Sequence, residues 1–339
     1  MKILIYGSAY PYALESFYEK KLTILGHKVK IFNGADVFVE YYKSSIINKL
    51  FFRIGLSLIY YRINKTFLNT LNYFKPECIL VFKGMELFPR IIEKISKKNI
   101  PIFNYNPDHP FLFHGKGSGN KNVQRAIPFY TCHISYSKKI CCDLINKYKV
   151  NCEWIPFGYE PVKVFSFDEN SEIKKLCFIG HADLERARMI KKISKAGISI
   201  DIYGPNWFKY LRNINNLTIH DPIYNEKMNE IAQKYRVQLN MFRFHNIDSH
   251  NMRTFEMSGI GCIVIAPDSI EHRMFYKENE EHFLYKDFDD LLIKTKKILN
   301  MPFIEALKIR QGAYHRSIQS KYTYLHRAIE LISVLEKYV

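Results

Sequence analysis

The sequence of 339 residues lacks the cysteine pattern of a small secreted domain or of a zinc site. Its seven cysteines are odd in number and include no Cys-x-x-Cys pair. Neither a framework of disulfide bonds nor a structural zinc ion is therefore predicted. Because free thiols persist in a reducing compartment, we predict a cytoplasmic location.

Long apolar runs are also missing. No stretch reaches the roughly 18 consecutive apolar residues that a membrane-spanning helix needs, and the first residues resemble a strand rather than a secretory signal. The most apolar stretch, residues 46–63, is interrupted by Arg53 and Arg62. It fits either an amphipathic helix in the plane of a membrane interface or a helix buried in the N-terminal domain.

Acidic residues are scarce relative to basic ones. The chain has 50 Lys and Arg against 33 Asp and Glu, and its formal net charge is +17. The excess is concentrated in residues 1–160, which hold 23 basic and 11 acidic residues, whereas the remainder holds 27 and 22. Such a surface could attract nucleic acid, an anionic bilayer or a phosphate-bearing substrate, or could reflect composition alone.

A regular alternation of short apolar runs and helix-length segments is present, and the predicted strands of the first half are residues 3–6, 28–32, 78–82, 102–105 and 130–135. The length and the 47% hydrophobic content suit two domains of about 150 residues each. The alternation predicts parallel sheets covered by helices on both faces, and it restarts after a Pro- and Gly-containing segment at residues 154–161. We therefore predict an α/β fold with two Rossmann-like, doubly wound domains.

The predicted domains cover residues 1–158 and 159–319. A C-terminal helix at about residues 320–339 is expected to pack back on the first domain. The two domains are expected to face each other across a cleft, with the carboxyl ends of both sets of strands towards the ligand.

The segment at residues 248–268 carries the most informative polar residues. A polar loop with Asp248 and Asn251, of which Asn251 is a candidate ligand contact, leads into a short helix with Arg253 and Glu256. A helix N-terminus offers free N–H groups to a diphosphate, and Arg253 could add a charge-assisted contact. Glu256 could accept hydrogen bonds from the two hydroxyls of a ribose. The alternative is an Arg/Glu pair three residues apart on a helix surface.

Two other predicted strands of the second half end in glycine. Gly180 permits close approach of a ligand to the backbone, and Arg186 on the following helix could face a phosphate. Tyr203 and Gly204 end the next strand in the same way. Each segment could equally be an ordinary turn between a strand and a helix.

A third group of polar residues follows a predicted strand in the N-terminal half. Asp108 and His109 are two titratable groups at the end of that strand. Either side chain could orient a bound hydroxyl group or act as a base. The alternative is a turn in which Asp108 caps its own backbone.

In order and spacing, these motifs resemble the GT-B glycosyltransferases of the spore maturation protein CgeB-like group. The C-terminal domain of that group is shared with the group 1 glycosyltransferases. The resemblance is closer in the second half of the chain than in the first. The motifs are Phe178-x-Gly180 with Arg186, Tyr203-Gly204-x-x-Trp207, Arg253-x-Phe255-Glu256 with Gly259 and Gly261, Tyr285-Lys286-Asp287, Tyr322-Thr323-Tyr324-x-x-Arg327, Lys75-Pro76-Glu77, Lys83-Gly84, Asn106-Pro107-Asp108 and Ile155-Pro156-Phe157-Gly158.

The resemblance implies a GT-B architecture with a nucleotide-sugar site in the second domain. Glu256 would bind the ribose of the donor, and Arg186 and Arg253 would neutralise its diphosphate. The loop at residues 220–224, with Ile223 and Tyr224, would hold the base through backbone contacts. Asp248, eight positions before Glu256, would face the transferred sugar as a catalytic residue. In the first domain, Asp108 and His109 would stand where the acceptor and the donor sugar meet.

The predicted function is the transfer of a sugar from a nucleotide-sugar donor to a glycan, with a lipid-linked or cell-surface polysaccharide as the expected acceptor. No cofactor or metal ion is expected, because positive side chains and a helix N-terminus would stabilise the leaving diphosphate. Retention of the anomeric configuration is expected from the resemblance alone.

The basic and apolar N-terminal half suggests peripheral contact with an anionic membrane on its inner face, and no nucleic acid is expected as a partner. Two other functions stay open. One is a nucleotide-sugar 2-epimerase of the same fold, and the other is a non-enzymatic basic protein that binds polyanions.

Overall fold

Both expected parallel sheets form in the computed structural model, which describes residues 1–113, 118–162, 167–242 and 248–339. The chain divides into two units, one comprising Met1–Pro156 with Tyr324–Val339 and the other Phe157–Thr323. Each unit contains one six-stranded sheet. The predicted α/β class with two Rossmann-like sheets is confirmed.

The first unit alternates strands with helices. Its strands are β1 (Lys2–Gly7), β2 (Lys28–Asn33), β3 (Cys78–Phe82), β4 (Ile102–Asn106), β5 (Cys132–Ser135) and β6 (Cys152–Trp154). Its helices up to residue 156 are α1 (Leu14–Ile24), α2 (Gly34–Ser44), α3 (Ile46–Arg53), α4 (Ile59–Phe74), α5 (Pro89–Ser96), α6 (Lys121–Ala126) and α7 (Lys138–Tyr148). The strand order is β2-β1-β3-β4-β5-β6, all parallel. Strands β3, β4 and β5 are buried along their whole length, as expected where helices cover both faces.

The second unit repeats this plan. Its strands are β7 (Ile173–Ile179), β8 (Ile200–Tyr203), β9 (Leu217–His220), β10 (Tyr235–Leu239), β11 (Val264–Pro267) and β12 (His282–Tyr285). Its helices are α8 (Leu184–Lys195), α9 (Asn225–Lys234), α10 (Met252–Gly259), α11 (Ile270–Phe275), α12 (Phe288–Asn300) and α13 (Phe303–Gln319). The strand order is β12-β11-β10-β7-β8-β9, and the pairs are again parallel.

The C-terminal helix α14 (Tyr324–Leu335) belongs to the first unit, where it packs on α1. The rings of Phe17 and Tyr324 stack with centroids 5.0 Å apart. Ala328 and Leu331 on the same helix are fully buried. The apolar face of α14 therefore completes the core beside α1.

Two stretches differ from the expectations. Strand β6 extends the first sheet, but it has only three residues and none is fully buried, so no apolar run signals it. Residues 46–63 form parts of two helices, α3 and α4, because the chain turns at Gly55 with a φ of 79°. Of these, α4 has a buried face and α3 has no buried residue. No helix within the described ranges is long and apolar enough to cross a bilayer.

The ends of β7 and β8 approach each other so closely that one position excludes a side chain. A Cβ atom on Gly204 would lie 2.0 Å from the carbonyl oxygen of Gly180, and the φ of Gly204 is 151°. The same carbonyl accepts a hydrogen bond of 2.9 Å from the indole of Trp207, which is fully buried. Gly204 thus has a packing role at the strand ends, whatever further contact it makes with a ligand.

We expect Gly204→Ala to lower the free energy of unfolding of the second unit by at least about 2 kcal/mol, because the new methyl group meets backbone atoms that have no room to move. Gly197→Ala is a matched control, since Gly197 has a φ of 82° but a Cβ atom there would meet nothing within 4 Å. That control should cost only about 1 kcal/mol. Urea unfolding measures both values, and equal losses would contradict the packing argument.

Candidate functional site

The second sheet has a switch point between β7 and β10. Strands β8 and β9 lie on one side of β7, while β10, β11 and β12 lie on the other. In open α/β sheets, the crevice outside the carboxyl ends at such a point is the usual ligand site. The residues that follow β7 and β10 are therefore the first candidates for contact with a ligand.

Arg186 lies at this switch point. Its backbone amide donates to the side chain of Asp183, which caps α8. Its guanidinium donates to the carbonyl of His181 at 3.2 Å and to that of Met241 at 3.3 Å, and it lies over the ring of Phe178 at 5.5 Å. The side chain is 13% exposed. Arg186 is therefore a cation held rigidly between the ends of β7 and β10.

Arg253 reaches the same strand end from α10. Its Nε donates to the carbonyl of Ile179, the last residue of β7, at 3.4 Å. Its Nη1 forms an ion pair with Glu256 on the next turn. The two side chains are 33% and 19% exposed, so both remain accessible to a ligand. The ion pair between residues i and i+3 that the sequence suggested as an alternative therefore forms, and it lies at the crevice.

The N-terminus of α10 is fixed by a capping box. The side chain of Asn251 accepts from the amide of Thr254, and the Thr254 hydroxyl accepts from the amide of Asn251. Asn251 also donates to the side chain of Asn240, just beyond β10, at 2.6 Å. The predicted donor contact Asn251 is therefore engaged in orienting the helix.

A buried histidine joins this cap to β11. The Oγ1 of Thr254 lies 2.8 Å from Nε2 of His272, and Nδ1 of His272 lies 2.8 Å from the carbonyl of Pro267. Since a carbonyl can only accept, Nδ1 carries the proton and Nε2 accepts from Thr254. Burial lowers the pKa of His272 to about 4, so the ring is neutral at physiological pH.

A second buried network holds the loop before α10. His250 Nε2 accepts from the amide of Phe157 at 3.1 Å, and His250 Nδ1 donates to Glu271 at 2.6 Å. The same carboxylate accepts from the hydroxyl of Ser249 at 2.8 Å. His250 and Glu271 are 0% and 2% exposed. Their burial indicates that they position the loop and the helix rather than contact a ligand.

Tyr203 lies mostly in the core. Its hydroxyl is 2.8 Å from that of Tyr235, which donates to Asp201 at 2.7 Å. Its ring stacks on His220 with centroids 4.4 Å apart. Burial opposes ionisation of Asp201, but hydrogen bonds from Tyr235 and Lys175 outweigh it and lower the pKa of the carboxyl group. The cluster of Tyr203, Tyr235, Asp201 and His220 holds the ends of β8 and β9 together. His220 is its most exposed member.

The remaining predicted residues of the second unit are spread around this edge. Ile223 is buried in the core beside α9, whereas Tyr224 is 60% exposed immediately before that helix. Asp248 is exposed and has a φ of 62°. Gly180 packs against Phe178, and a Cβ atom on Gly180 would contact that ring at 2.9 Å.

An Asp-x-Asp sequence, the kind that holds the cation in the other large glycosyltransferase architecture, occurs at Asp287-Phe288-Asp289. The structure places it at the start of α12, where Asp287 accepts from the amide of Asp290 at 2.9 Å. Its position is explained by helix capping. Within the residues that the structure describes, no group of three His, Cys, Asp or Glu side chains has the arrangement of a metal site.

In the first unit, Asp108 pairs with a lysine of the neighbouring strand end. Lys83 Nζ lies 2.5 Å from the Asp108 carboxylate, and the two side chains are 24% and 19% exposed. Lys83 has a φ of 58° and follows β3, while Asp108 follows β4. The amide of Asp108 donates to Asn106 at 3.0 Å. Asp108 is thus a partly exposed carboxylate at the carboxyl edge of the first sheet.

His109 is buried beside it. Its Nδ1 accepts from the amides of Phe111 at 3.4 Å and Leu112 at 3.2 Å, and its ring meets that of Phe111 edge-on at 4.5 Å. His109 is 7% exposed. Since Nδ1 is used by the turn at residues 109–112, His109 orders that turn, and Asp108 is the more accessible of the two groups.

Two further carboxyl groups lie at this edge and were not suggested by any motif. Glu15 accepts from the amide of Ser8 at 3.1 Å, and Glu86 accepts from the hydroxyl of Tyr6 at 3.0 Å. Burial raises the pKa of both, and the charge of Lys83 acts in the opposite direction. Because they come from α1 and from the segment after β3, only the fold brings them near Lys83.

Residues 186–333 match the model of a protein family described as glycosyl transferase-like. The match begins at Arg186 and contains Arg253 and Glu256, and it covers less than half of the chain. It confirms the predicted class of enzyme for the part of the chain that holds the switch point of the second sheet.

Solved structures show that the whole chain has the GT-B fold. A sucrose-phosphate synthase from Thermosynechococcus elongatus matches with a TM-score of 0.73 at 10% identity, over 99% of both chains. A trehalose-6-phosphate structure from E. coli, bound with UDP-2-fluoro glucose, matches with a TM-score of 0.66 at 12% identity, over 99% of both chains. A UDP-GlcNAc 2-epimerase from Neisseria meningitidis matches with a TM-score of 0.56 at 14% identity, over 99% of this chain and 100% of the epimerase. No curated protein matches the sequence significantly.

The buried histidines predict a pH dependence of stability. Burial lowers the pKa of His272 to about 4 and that of His282 well below its usual value, whereas an exposed histidine titrates at about 6.5. The unfolded chain therefore binds more protons between these values, and the second unit loses stability as the pH falls from about 6.5 towards 4.

Urea unfolding at a series of pH values measures this slope. His272→Gln, which cannot take up a proton, should give a shallower slope over the upper part of the window, where carboxylates do not yet titrate. His315→Gln is the control, since His315 is exposed on α13 of the same unit. A slope unchanged by His272→Gln would contradict the assignment of His272 as a buried neutral ring.

Proposed function

We propose that the protein transfers a sugar from a nucleoside-diphosphate sugar, bound by the second unit, to a glycan acceptor bound by the first. The single observation that carries the proposal is the pair of guanidinium groups, Arg186 and Arg253, anchored to backbone carbonyls at the switch point of a glycosyl transferase-like segment. The closer resemblance to the CgeB-like group remains a prediction.

The two arginines suit a leaving diphosphate. When the bond between the anomeric carbon and the diphosphate breaks, negative charge grows on the diphosphate oxygens and positive charge on the sugar ring. Guanidinium groups that are already fixed need no reorganisation to stabilise that charge. Arg186 supplies a buried cation, Arg253 a more exposed one, and the N-terminus of α10 adds its dipole. This division supports a mechanism in which the protein alone neutralises the diphosphate.

Glu256 would bind the ribose hydroxyls. Its carboxylate is paired with Arg253, which neutralises it while the site is empty. A diphosphate would attract Arg253 and leave carboxylate oxygens for the ribose, since a carboxylate has about four acceptor positions and one ion pair does not use them all. The ion pair is therefore compatible with binding of the ribose by Glu256 and of the diphosphate by Arg253.

Asp108 is the better candidate for contact with the acceptor. The acceptor oxygen forms a bond to the anomeric carbon as the diphosphate leaves, and the hydroxyl proton must be taken up. If the leaving diphosphate takes this proton on the same face, the configuration is retained. If Asp108 takes it from the opposite face, the configuration is inverted. We propose retention, in which Asp108, held by Lys83, orients the hydroxyl.

The acceptor is proposed to be a lipid-linked or cell-surface glycan, which the basic character of residues 1–160 supports. A 2-epimerase would use the same donor and needs no acceptor. Incubation of the donor alone distinguishes the two, because an epimerase would convert it whereas a transferase would leave the sugar unchanged.

Glu256→Ala should weaken binding of the donor at least about tenfold, because a ribose loses charge-assisted hydrogen bonds. Calorimetry with UDP, GDP and TDP sugars identifies the donor, and the best of them is then titrated into the variant. Glu330→Ala is a matched control that breaks an equivalent pair, since Arg327 binds Glu330 three residues on at 2.8 Å in α14.

Unchanged affinity in Glu256→Ala would contradict the ribose assignment. Failure of the unaltered protein to bind any of these donors would contradict the proposed function as a whole.

Asp108→Asn should leave donor affinity unchanged and lower kcat at least about 100-fold, because the amide cannot accept from the acceptor hydroxyl in the same way as a carboxylate. Asp143→Asn is the control in the same unit, where Asp143 pairs with Lys147 on α7 at 2.7 Å. A kcat equal to that of the control would remove Asp108 from the reaction.

A further inference from the structure

The first unit presents an apolar surface that its own core does not cover. We call residues 46–56, which comprise α3 and the turn after it, the α3 surface. No residue of α3 is buried. Six aliphatic or aromatic side chains of this surface are between 45% and 82% exposed: Ile46, Ile47, Leu50, Phe51, Ile54 and Leu56. Single exposed apolar residues are ordinary, but a contiguous group indicates a binding surface.

The sequence of the α3 surface and of the 20 residues that follow it is rich in positive charge. Residues 41–76 contain no Asp or Glu, and the nearest carboxylate before the surface is that of Glu40. The exposed cations within residues 41–65 are Lys43, Arg53, Arg62 and Lys65. Within the described ranges, none of these four forms an ion pair with a carboxylate. The α3 surface therefore combines apolar side chains with unneutralised positive charge.

The packing beneath α3 holds this surface outwards. Phe52 faces inwards, where its ring lies 4.8 Å from that of Phe38 and 5.2 Å from that of Tyr60. The hydroxyl of Ser57 donates to that of Tyr41 at 2.8 Å. One aromatic side chain thus anchors the helix, and its other apolar residues are left for a partner.

We propose that the α3 surface binds the interface of an anionic lipid bilayer. In an amphipathic helix that lies in this interface, apolar side chains enter the boundary between headgroups and acyl chains, and basic side chains contact anionic headgroups. A bilayer would therefore cover the exposed apolar side chains of the α3 surface and neutralise its basic side chains. The proposal stands on residues outside the candidate sugar-transfer site and does not depend on that activity.

Charge complementarity and apolar exposure together decide between a bilayer and other polyanions. Nucleic acid would neutralise the cations, but its phosphates would leave Ile46, Leu50 and Ile54 in water. A bilayer accepts these side chains at whatever spacing they have, because lipid chains adapt to them. Phe51 and Tyr61, which are 45% and 54% exposed, are aromatic side chains that suit the region near the headgroups.

Flotation of the full chain with vesicles tests the proposal. We expect the protein to float with phosphatidylcholine vesicles that contain phosphatidylglycerol and to bind weakly to phosphatidylcholine alone. Leu50→Asp with Phe51→Asp should reduce the partition coefficient at least about tenfold, and Arg53→Glu with Arg62→Glu should do the same at low salt.

Matched substitutions in the second unit are the controls. Ile293 and Ile304 are 68% and 64% exposed, so Ile293→Asp with Ile304→Asp replaces two similarly exposed apolar side chains. Lys191→Glu with Lys195→Glu makes the same change of net charge on exposed positions of α8. Both controls should float like the unaltered protein, and circular dichroism verifies that all four variants are folded.

Insertion is measured separately by fluorescence. Phe51→Trp should be quenched by vesicles with brominated acyl chains, whereas Ile293→Trp should not. The natural Trp154 and Trp207 are present in both variants, so the difference between the two isolates the new side chain. Binding to anionic vesicles without loss in Leu50→Asp/Phe51→Asp, absence of quenching, or tighter binding to nucleic acid than to vesicles would each overturn the proposal.

Discussion

The candidate site depends on how the N-terminus of α10 is held against the ends of β10 and β11. Asn240, Asn251, Thr254 and His272 form a continuous chain of hydrogen bonds from one strand end to the other. Thr254 is its centre, because its hydroxyl donates to the neutral His272 and accepts from the side chain of Asn240 at 3.2 Å. A helix placed this firmly carries Arg253 and Glu256 at fixed positions.

The same constraint determines the electrostatics of the site. Arg186 and Arg253 donate to carbonyls at and just beyond the ends of β7 and β10, so the strands themselves aim the guanidinium groups. Arg253 has a carboxylate partner three residues on along its own helix, and that partner is partly exposed. Arg186 is also paired, since its Nε lies 3.5 Å from the carboxylate of Asp183 three residues earlier. The two arginines differ in burial, because the side chain of Arg186 is 13% exposed and that of Arg253 is 33% exposed.

The sequence was most informative where one short segment contains all of a motif. Helix α10, its Arg253–Glu256 pair and the glycine ends of β7 and β8 were predicted on that basis, and each lies where a strand meets a helix. The buried residues that orient the motif from α11 were not predicted. Glu271 and His272 lie on α11, beyond the motif segment, and nothing in their local sequence distinguishes them from surface residues.

Two other differences between the predicted and the observed elements also arise because local sequence does not show which residues the fold buries. Strand β6 was missed because three partly exposed residues make no apolar run. The stretch at residues 46–63 was taken as one element because its composition is uniform, yet Gly55 divides it into a helix with a buried face and one without. The interpretation as a buried helix therefore applies to α4, whereas α3, which has no buried residue, is the half to which the proposed bilayer contact refers. Tertiary packing decides which residues are covered, and composition does not carry that information.

Calorimetric comparison of a nucleoside diphosphate with its monophosphate measures whether Arg186 and Arg253 together hold a diphosphate. We expect the diphosphate to bind at least about 100-fold more tightly. Arg186→Ala with Arg253→Ala should remove this preference, whereas Arg188→Ala with Arg212→Ala should preserve it. Equal affinity for the two nucleotides, or a preference that survives loss of both arginines, would mean that these side chains do not hold the diphosphate.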